Sequence, residues 1–271
     1  MVRTVFYISD GTGITAETLG HTLLTQFPRV TFQTISLPFV NTPEKIDRVI
    51  QRINRTADRE GLVPLVFSTL TSPALRMRLT MCRGSVFDFF ETFTGPMEEV
   101  MGVTSSPVTG RSHGMGDPGD YSERIDAVHY TMQHDDGSAF SDYSKADIII
   151  TGVSRTGKTP TCLYLALQFG VQAANYPLTD EDFERGELPQ ILEPEKEKLF
   201  GLTVGAERLY QIRQERRANS VYASMQQVRK ELRAAEDLFR RKKIPFLNIT
   251  HMSVEEIAAS VMQRADLKRK I

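Results

Sequence analysis

The strongest chemical signal in the sequence is a glycine-rich segment, GVSRTGKT, at residues 152–159. It matches the pattern Gly-x-x-x-x-Gly-Lys-Ser/Thr, in which backbone N–H groups surround phosphate oxygens. In that pattern Lys158 reaches the terminal phosphates and the Thr159 hydroxyl is a ligand of Mg²⁺. A lysine at the mouth of such a cradle is expected to be exposed. The predicted nucleotide-binding residues are Gly152, Val153, Ser154, Arg155, Thr156, Gly157, Lys158 and Thr159.

The flanking residues favour phosphate binding over a purely structural turn. An apolar run at 148–150 indicates a strand before the loop, and residues 161–168 have helical character after it. The structural alternative is a Gly-rich turn with Lys158 solvated in the first helical turn. That placement is unfavourable without an anion, because a cation at a helix N-terminus opposes the helix dipole. Arg155 adds a guanidinium that is well suited to phosphate contacts.

Carboxylates for a metal or a general base must come from outside this loop. Proteins with this loop usually place an Asp at the end of a later apolar strand, but the run FLNIT at 246–250 offers Asn248 and Thr250 instead. Asp135 and Asp136 end a helical pattern, where the helix dipole disfavours carboxylates. Such a local conflict is typical of functional sites, so we predict metal or general-base roles for both. A polar turn that ends the helix is the alternative.

A second strand, glycine turn and helix begin the chain in YISDGTGITAETLG. Asp10, with Thr12 and Thr15, supplies a carboxylate and hydroxyls at a helix start, where an anion or a metal–phosphate group could bind. Asp10 is therefore a candidate catalytic residue, although the same side chains could simply satisfy turn and helix-cap groups. The histidines lack metal-binding spacing and are predicted to be structural or exposed; they are His21, His113, His129, His134 and His251.

Short apolar runs alternate with amphipathic segments along the chain, a pattern typical of an α/β fold with a largely parallel sheet flanked by helices. The predicted strands are 5–8, 30–37, 62–67, 148–153, 200–204 and 245–249. The predicted helices are 15–26, 43–60, 73–83, 95–101, 122–134, 158–169, 206–217, 220–243 and 253–270.

One segment between these elements is predicted to be a linker or mobile loop. Residues 104–121 are rich in Ser, Gly, Pro and Asp and have no apolar period. The predicted organisation is therefore an N-terminal α/β lobe at 1–103, the linker, and a P-loop-containing catalytic lobe at 122–271.

The composition excludes several classes of protein. The net charge of −1 gives no overall attraction to nucleic acids or acidic membranes. No window is apolar enough to span a membrane, and the N-terminus lacks a signal-peptide pattern. Two cysteines, Cys82 and Cys162, are too few for a disulfide framework. We therefore expect a cytoplasmic protein that binds neither nucleic acid nor membrane.

Positive charge is concentrated near the C-terminus. Residues 205–271 contain 15 Lys and Arg against 8 Asp and Glu, a balance of +7, whereas residues 1–204 have a balance of −8. The basic runs at 212–217 and 240–244 could contact an acidic or phosphorylated partner. A solvated helical surface is the simpler alternative.

Several long blocks identify a family resemblance that covers nearly the whole chain. They are YISDGTGITAETLGH, LPFV, RIDAVHYTMQHDDG, GVSRTGKTPTCLYLALQFGVQAANYPL, KLFGLTVGAERL, IRQERR, NSVYAS and SVEEIA. In this order they resemble the bifunctional kinase/pyrophosphorylase regulators of phosphoenolpyruvate-forming enzymes. The family's nucleotide-binding segment corresponds to residues 152–159.

The resemblance implies two opposed reactions on one target enzyme. The kinase transfers phosphate from ADP to a threonine and inactivates the target, and the phosphorylase uses inorganic phosphate to remove it with release of pyrophosphate. With Gly at position 157, the sequence resembles the branch that acts on phosphoenolpyruvate synthase, because the pyruvate, phosphate dikinase branch typically has Ser at that position. The expected ligands are ADP, inorganic phosphate and Mg²⁺.

The residues themselves leave other functions open. An ATP-dependent small-molecule kinase or NTPase, and a phosphate-sensing module without turnover, would both use such a loop. A homodimer is also compatible with the sequence.

Overall fold

In the part of the chain that the structure describes, the strands form two four-stranded sheets, and all their strand pairs are parallel. The computed structural model describes residues 2–106, 118–136 and 142–270. It divides the chain into two units, Met1–Gly114 and Met115–Ile271. The predicted α/β class with parallel sheets flanked by helices is confirmed.

The sheet of the first unit has the strand order β2-β1-β3-β4. Its elements are β1 (Val2–Ser9), α1 (Ile14–Leu24), β2 (Thr31–Leu37), α2 (Pro43–Glu60), β3 (Leu65–Thr69), α3 (Pro73–Leu79), β4 (Ser85–Asp88) and α4 (Phe89–Met101). Side chains alternate across β1, so Phe6 and Ile8 pack against one group of buried residues while Val5 and Tyr7 pack against another.

The sheet of the second unit has the equivalent order, β6-β5-β7-β8. Its elements are α5 (Pro118–Gln133), β5 (Ile148–Gly152), α6 (Lys158–Phe169), β6 (Ala173–Pro177), α7 (Asp180–Arg185), β7 (Leu199–Thr203), α8 (Ala206–Arg216), α9 (Met225–Lys242), β8 (Phe246–Asn248) and α10 (Val254–Arg264). Every residue of β5 is buried, as expected for a central parallel strand.

The two faces of β5 pack against different helices. Ile149 belongs to the cluster that contains Phe239 of α9, whereas Ile148 and Ile150 belong to the cluster that contains Leu165 of α6 and Ala258 of α10. This double packing holds β5 from both sides. The residues that follow its carboxyl end are therefore attached to a strand whose every residue is buried.

Several elements differ from the sequence predictions. The short elements β4, β6 and α7 were not predicted. Helix α4 begins at Phe89 rather than at residue 95, because Asp88 accepts the N–H of Glu91 and caps the helix. Helix α9 begins at Met225 after a short 3₁₀ turn, and α10 ends at Arg264 rather than at residue 270.

Most of the predicted linker, residues 107–117, lies outside the described residues, so the linker stays a prediction. Helix α5 begins within the predicted segment, at Pro118. Within the described parts of the chain, no helix combines the length and apolar character that a membrane span requires.

Candidate functional site

The glycine loop, residues 152–159, leaves the carboxyl end of β5 and leads into α6. After α6 the chain forms β6 on one side of β5, and β7 then pairs with β5 on the other side. The strand order therefore reverses beside β5. In open parallel sheets, ligands bind at the carboxyl ends of the strands where this reversal occurs.

Both glycines of the loop have backbone conformations that favour glycine. Gly152 has φ of 151°, and a Cβ on it would lie 2.4 Å from the carbonyl oxygen of Leu202 in β7. Gly157 has φ of 68° and precedes the first residue of α6. Gly152 thus allows a close backbone approach, and Gly157 allows the turn into the helix.

The rest of the loop is held closed by its own polar groups. The hydroxyl of Thr156, a fully buried residue, donates to the carbonyl oxygen of Val153 at 2.9 Å. The ammonium of Lys158 donates to the same oxygen at 3.0 Å. Arg155 has φ of 75°, a left-handed conformation that costs about 1–3 kcal/mol in a residue with a side chain.

Lys158 is buried, so the prediction of an exposed lysine is wrong. Its relative exposure is 5%, because the side chain folds back over the loop toward Val153. Burial lowers the pKa of Lys158 to about 8, against the opposing effect of the carboxylates of Asp136 and Asp135. A bound phosphate would raise this pKa again, because a neighbouring anion favours the charged form of the lysine.

A pocket of about 280 Å³ opens beside Lys158. Its lining combines two cationic side chains, two hydroxyls and one carboxylate. The lining residues are Asp136, Ser154, Arg155, Gly157, Lys158, Thr159 and Pro160. The pocket therefore has groups that attract an anion and one group that accepts a proton.

Asp135 and Asp136, the candidates for metal or general-base roles, lie beside the glycine loop. Thr159 Oγ1 donates to Asp135 Oδ1 at 2.8 Å, and the side-chain amide of Asn175 donates to the same oxygen. The backbone N–H of Asp136 donates to Asn175 Oδ1 at 3.2 Å, and Asp136 has φ of 52°. The two carboxylates thus follow α5 in a turn that is fixed to β6.

Asn175 is the residue of this site that the sequence predictions missed. It is almost fully buried in β6, and its N–H donates to the carbonyl of His134 at 3.1 Å. A single amide within the short apolar run AANYP was the available signal. Buried amides need hydrogen-bond partners, and here those partners are the candidate catalytic residues.

The structure also shows the contacts of Asp10 and His134, two further residues considered in the sequence analysis. Asp10 lies in the first unit, after β1, where the N–H and the hydroxyl of Thr71 donate to its Oδ2 at 2.8 and 2.5 Å. His134 stacks on Tyr130 with ring centroids 3.9 Å apart, in agreement with a structural role.

A magnesium ion would find oxygen ligands at Thr159 and Asp135. Mg²⁺ is commonly held by one or two carboxylates together with substrate phosphates, and this donor set fits that chemistry. Among the described residues, no group of three or more His, Cys, Asp and Glu forms a preassembled metal cage. Strand β8 ends at Asn248, whose Oδ1 accepts from Thr250.

Comparison with known proteins identifies the family. The model of the kinase/pyrophosphorylase family matches residues 5–262. A protein from Legionella pneumophila (strain Corby) is 49% identical over 271 residues, 100% of both chains. One from Alkalilimnicola ehrlichii is 50% identical over 269 residues, 99% of this chain and 98% of the relative. One from Pseudomonas putida (strain W619) is 48% identical over 270 residues, 100% and 99% of the two chains.

All three relatives are named, provisionally, phosphoenolpyruvate synthase regulatory proteins. The match covers both units and includes the glycine loop and the two carboxylates beside it. The chain belongs to the kinase/pyrophosphorylase family.

Proposed function

We propose that this protein regulates phosphoenolpyruvate synthase by phosphorylating one of its threonines with ADP and by removing that phosphate with inorganic phosphate. The observation that carries the proposal is the pocket in which Lys158 and Arg155 of the glycine loop meet Asp136. The names of the relatives support the target enzyme. Family membership supports the phosphotransfer.

In the kinase direction, the β-phosphoryl group of ADP is the group transferred. The threonine oxygen forms a bond to the β-phosphorus while the bond from that phosphorus to the oxygen bridging the α-phosphate breaks, which releases AMP. Lys158 and Arg155 line the pocket and would stabilise the charge on the transferred group. Positioning and charge stabilisation supply most of the catalysis in such reactions.

Asp136 is the proposed general base. Its carboxylate lines the pocket, whereas Asp135 accepts hydrogen bonds from Thr159 and Asn175. Asp136 would take the proton of the threonine hydroxyl as the oxygen attacks. Asp135 would instead fix Thr159.

Thr159 and Asp135 are the proposed ligands of Mg²⁺, which would neutralise charge on the phosphates when bound. The described contact between Thr159 Oγ1 and Asp135 Oδ1 places the two oxygens 2.8 Å apart. Both can therefore approach one cation after the hydroxyl hydrogen turns away.

In the phosphorylase direction, the phosphoryl group of phosphothreonine would occupy the position of the β-phosphate of ADP, and inorganic phosphate would occupy that of the α-phosphate. One of its oxygens attacks the phosphorus of phosphothreonine, the bond to the threonine oxygen breaks, and pyrophosphate leaves. The threonine oxygen takes back a proton, which a protonated Asp136 would supply. Both directions thus use one position for the transferring phosphoryl group.

A comparison of phosphoryl donors tests the proposal. The protein is incubated with phosphoenolpyruvate synthase or, in parallel, with pyruvate, phosphate dikinase, and with either ADP labelled at the β-phosphate or ATP labelled at the γ-phosphate. Labelled residues are mapped, and ADP binding is measured separately. The proposal predicts label on a threonine from ADP. Transfer from ATP alone would indicate the ATP-dependent kinase class, and transfer to pyruvate, phosphate dikinase alone would indicate the other branch. ADP binding without transfer to either enzyme would indicate a sensing module.

A further inference from the structure

A fully buried arginine lies behind the glycine loop. Arg213 of α8 has a relative exposure of 0%. Its Nη2 donates to the carbonyl oxygen of Ser154 at 3.1 Å and to Glu231 Oε2 at 2.6 Å. Its Nη1 donates to the carbonyl oxygen of Tyr222 at 3.1 Å. One guanidinium therefore joins the glycine loop, α9 and the 3₁₀ turn between α8 and α9.

The same turn reaches the loop through a second contact. The Tyr222 ring lies 4.2 Å below the Arg213 guanidinium, and the Tyr222 hydroxyl is 3.0 Å from Ser154 Oγ. Both the carbonyl and the hydroxyl of Ser154 are thus held by residues of the α8–α9 segment. Because these residues are far from the loop in sequence, the glycine motif itself does not predict them.

The anchored carbonyl belongs to the peptide that joins Ser154 to Arg155. In a trans peptide the C=O and N–H groups point in opposite directions. Arg213 holds this C=O from the buried side, so the N–H of Arg155 points away from Arg213. Ser154 and Arg155 both line the pocket. Arg155 also has the left-handed φ of 75°, which the anchored peptide maintains.

Stability alone does not account for the ion pair that provides this anchor, because buried ion pairs are often no more stabilising than apolar residues of similar size. Glu231 is in turn fixed by Gln227, whose side-chain amide donates to Glu231 Oε1 and to Asp180. Hydrogen bonds thus fix the Glu231 carboxylate, and that carboxylate fixes the Arg213 guanidinium. A guanidinium held in this way can keep the Ser154 carbonyl in one position.

We propose that Arg213 is a positioning residue, which fixes the Ser154–Arg155 peptide so that the loop is preorganised for the phosphates of ADP. This inference rests on the proposed function of the glycine loop. Glu231 and Tyr222 act through Arg213 and Ser154 and do not themselves contact the ligand.

A double variant tests whether Arg213 positions the glycine loop or only stabilises the fold. Arg213→Met with Glu231→Leu removes both buried charges and leaves apolar side chains of similar length. Arg208→Met is the matched control, because Arg208 is an exposed arginine on the same helix. For each protein we would measure the melting temperature, the Kd for ADP, and ADP-induced protection of residues 152–159 from hydrogen exchange.

The expected result is a double variant that melts near the wild-type temperature, binds ADP about tenfold more weakly or worse, and loses ADP-induced protection of the loop. The control should match the wild type. If the double variant does not fold, Arg213→Lys is decisive by the same criteria, because an ammonium keeps the charge but cannot form the same three contacts.

Wild-type ADP affinity in the folded variant would overturn the positioning role and leave the proposed function intact. Failure of the wild-type protein to bind ADP would overturn both, because the loop would then have no phosphate to receive.

Discussion

At the scale of single residues, the fold disfavours the charge of Lys158 until an anion is bound. The buried ammonium has a neutral carbonyl as its hydrogen-bond acceptor, and its pKa is lowered to about 8. The unfolded chain would have the ordinary value of 10.5. The charge therefore destabilises the ligand-free protein below pH 8, by roughly 3 kcal/mol, and this destabilisation disappears as the pH rises toward 10.5.

This burial predicts that ADP affinity falls as the pH rises through 8. Above that pH the ligand-free lysine is neutral, and binding must take up a proton. From pH 7 to pH 9 the Kd should increase roughly tenfold. Calorimetry in buffers of different ionisation enthalpy would also show proton uptake near pH 9. Lys158→Arg is the control, because arginine stays charged and should give a nearly constant Kd. The same pH dependence in that variant would contradict the assignment.

Substitutions of the two neighbouring carboxylates, Asp135 and Asp136, should have different effects on the reaction. Asp136→Asn is expected to reduce the kinase rate by about 10²–10⁴-fold while ADP affinity changes little, because the base acts only in the chemical step. Asp135→Asn should instead raise the Mg²⁺ concentration needed for half-maximal rate. Asp126→Asn, an exposed substitution on α5, is the control. A normal rate in Asp136→Asn would show that the base lies elsewhere.

At the scale of elements, the sequence predicted the parts of the site that depend on local patterns. The run Ile148 to Ile150, the glycines and the helix after Lys158 follow from neighbouring residues, and they were correctly placed. Asn175 and Arg213 were not found, because their contacts with the glycine loop join residues 16 or more positions apart. The burial of Lys158 also depends on packing that no local pattern records.

The close approach of β5 and β7 predicts a large effect of Gly152→Ala. The new Cβ would lie 2.4 Å from the Leu202 carbonyl oxygen, so a strand must move. Gly186→Ala is the matched control, because Gly186 also has positive φ, 64°, but has open space around it. Chemical denaturation should show a loss of about 1 kcal/mol for the control and about 2–4 kcal/mol for Gly152→Ala. Equal losses would show that backbone strain alone matters.

At the scale of the whole molecule, the two units repeat one strand order, and each places a glycine turn after its first strand. Their sequences show no repeat, so this similarity appears only in the structure.

The charge distribution does not follow the division into two units, because the excess of positive charge lies in residues 205–271. Part of that charge is already paired within the second unit. Arg240 contacts Glu236 and Asp237, and Lys242 contacts Glu187 and Glu193.

The exposed arginines at the end of α8 are therefore the better candidates for binding the target enzyme. Replacing Arg216 and Arg217 with Gln should raise the KM for phosphoenolpyruvate synthase about three- to tenfold, and the effect should shrink as salt increases. The control replaces Arg52 and Arg55, two exposed arginines of α2. An equal KM in both double variants would favour the solvated-surface interpretation.

If one loop serves both reactions, ADP and inorganic phosphate must compete for it, and a competition experiment can show this. The phosphorylase rate would be measured against phosphate concentration at several ADP concentrations, with phosphorylated synthase as substrate. We expect ADP to raise the apparent KM for phosphate without changing the maximal rate, and Lys158→Ala to lose both activities. Noncompetitive inhibition, with a Lys158→Ala protein that lacks kinase activity but keeps the full phosphorylase rate, would contradict this expectation.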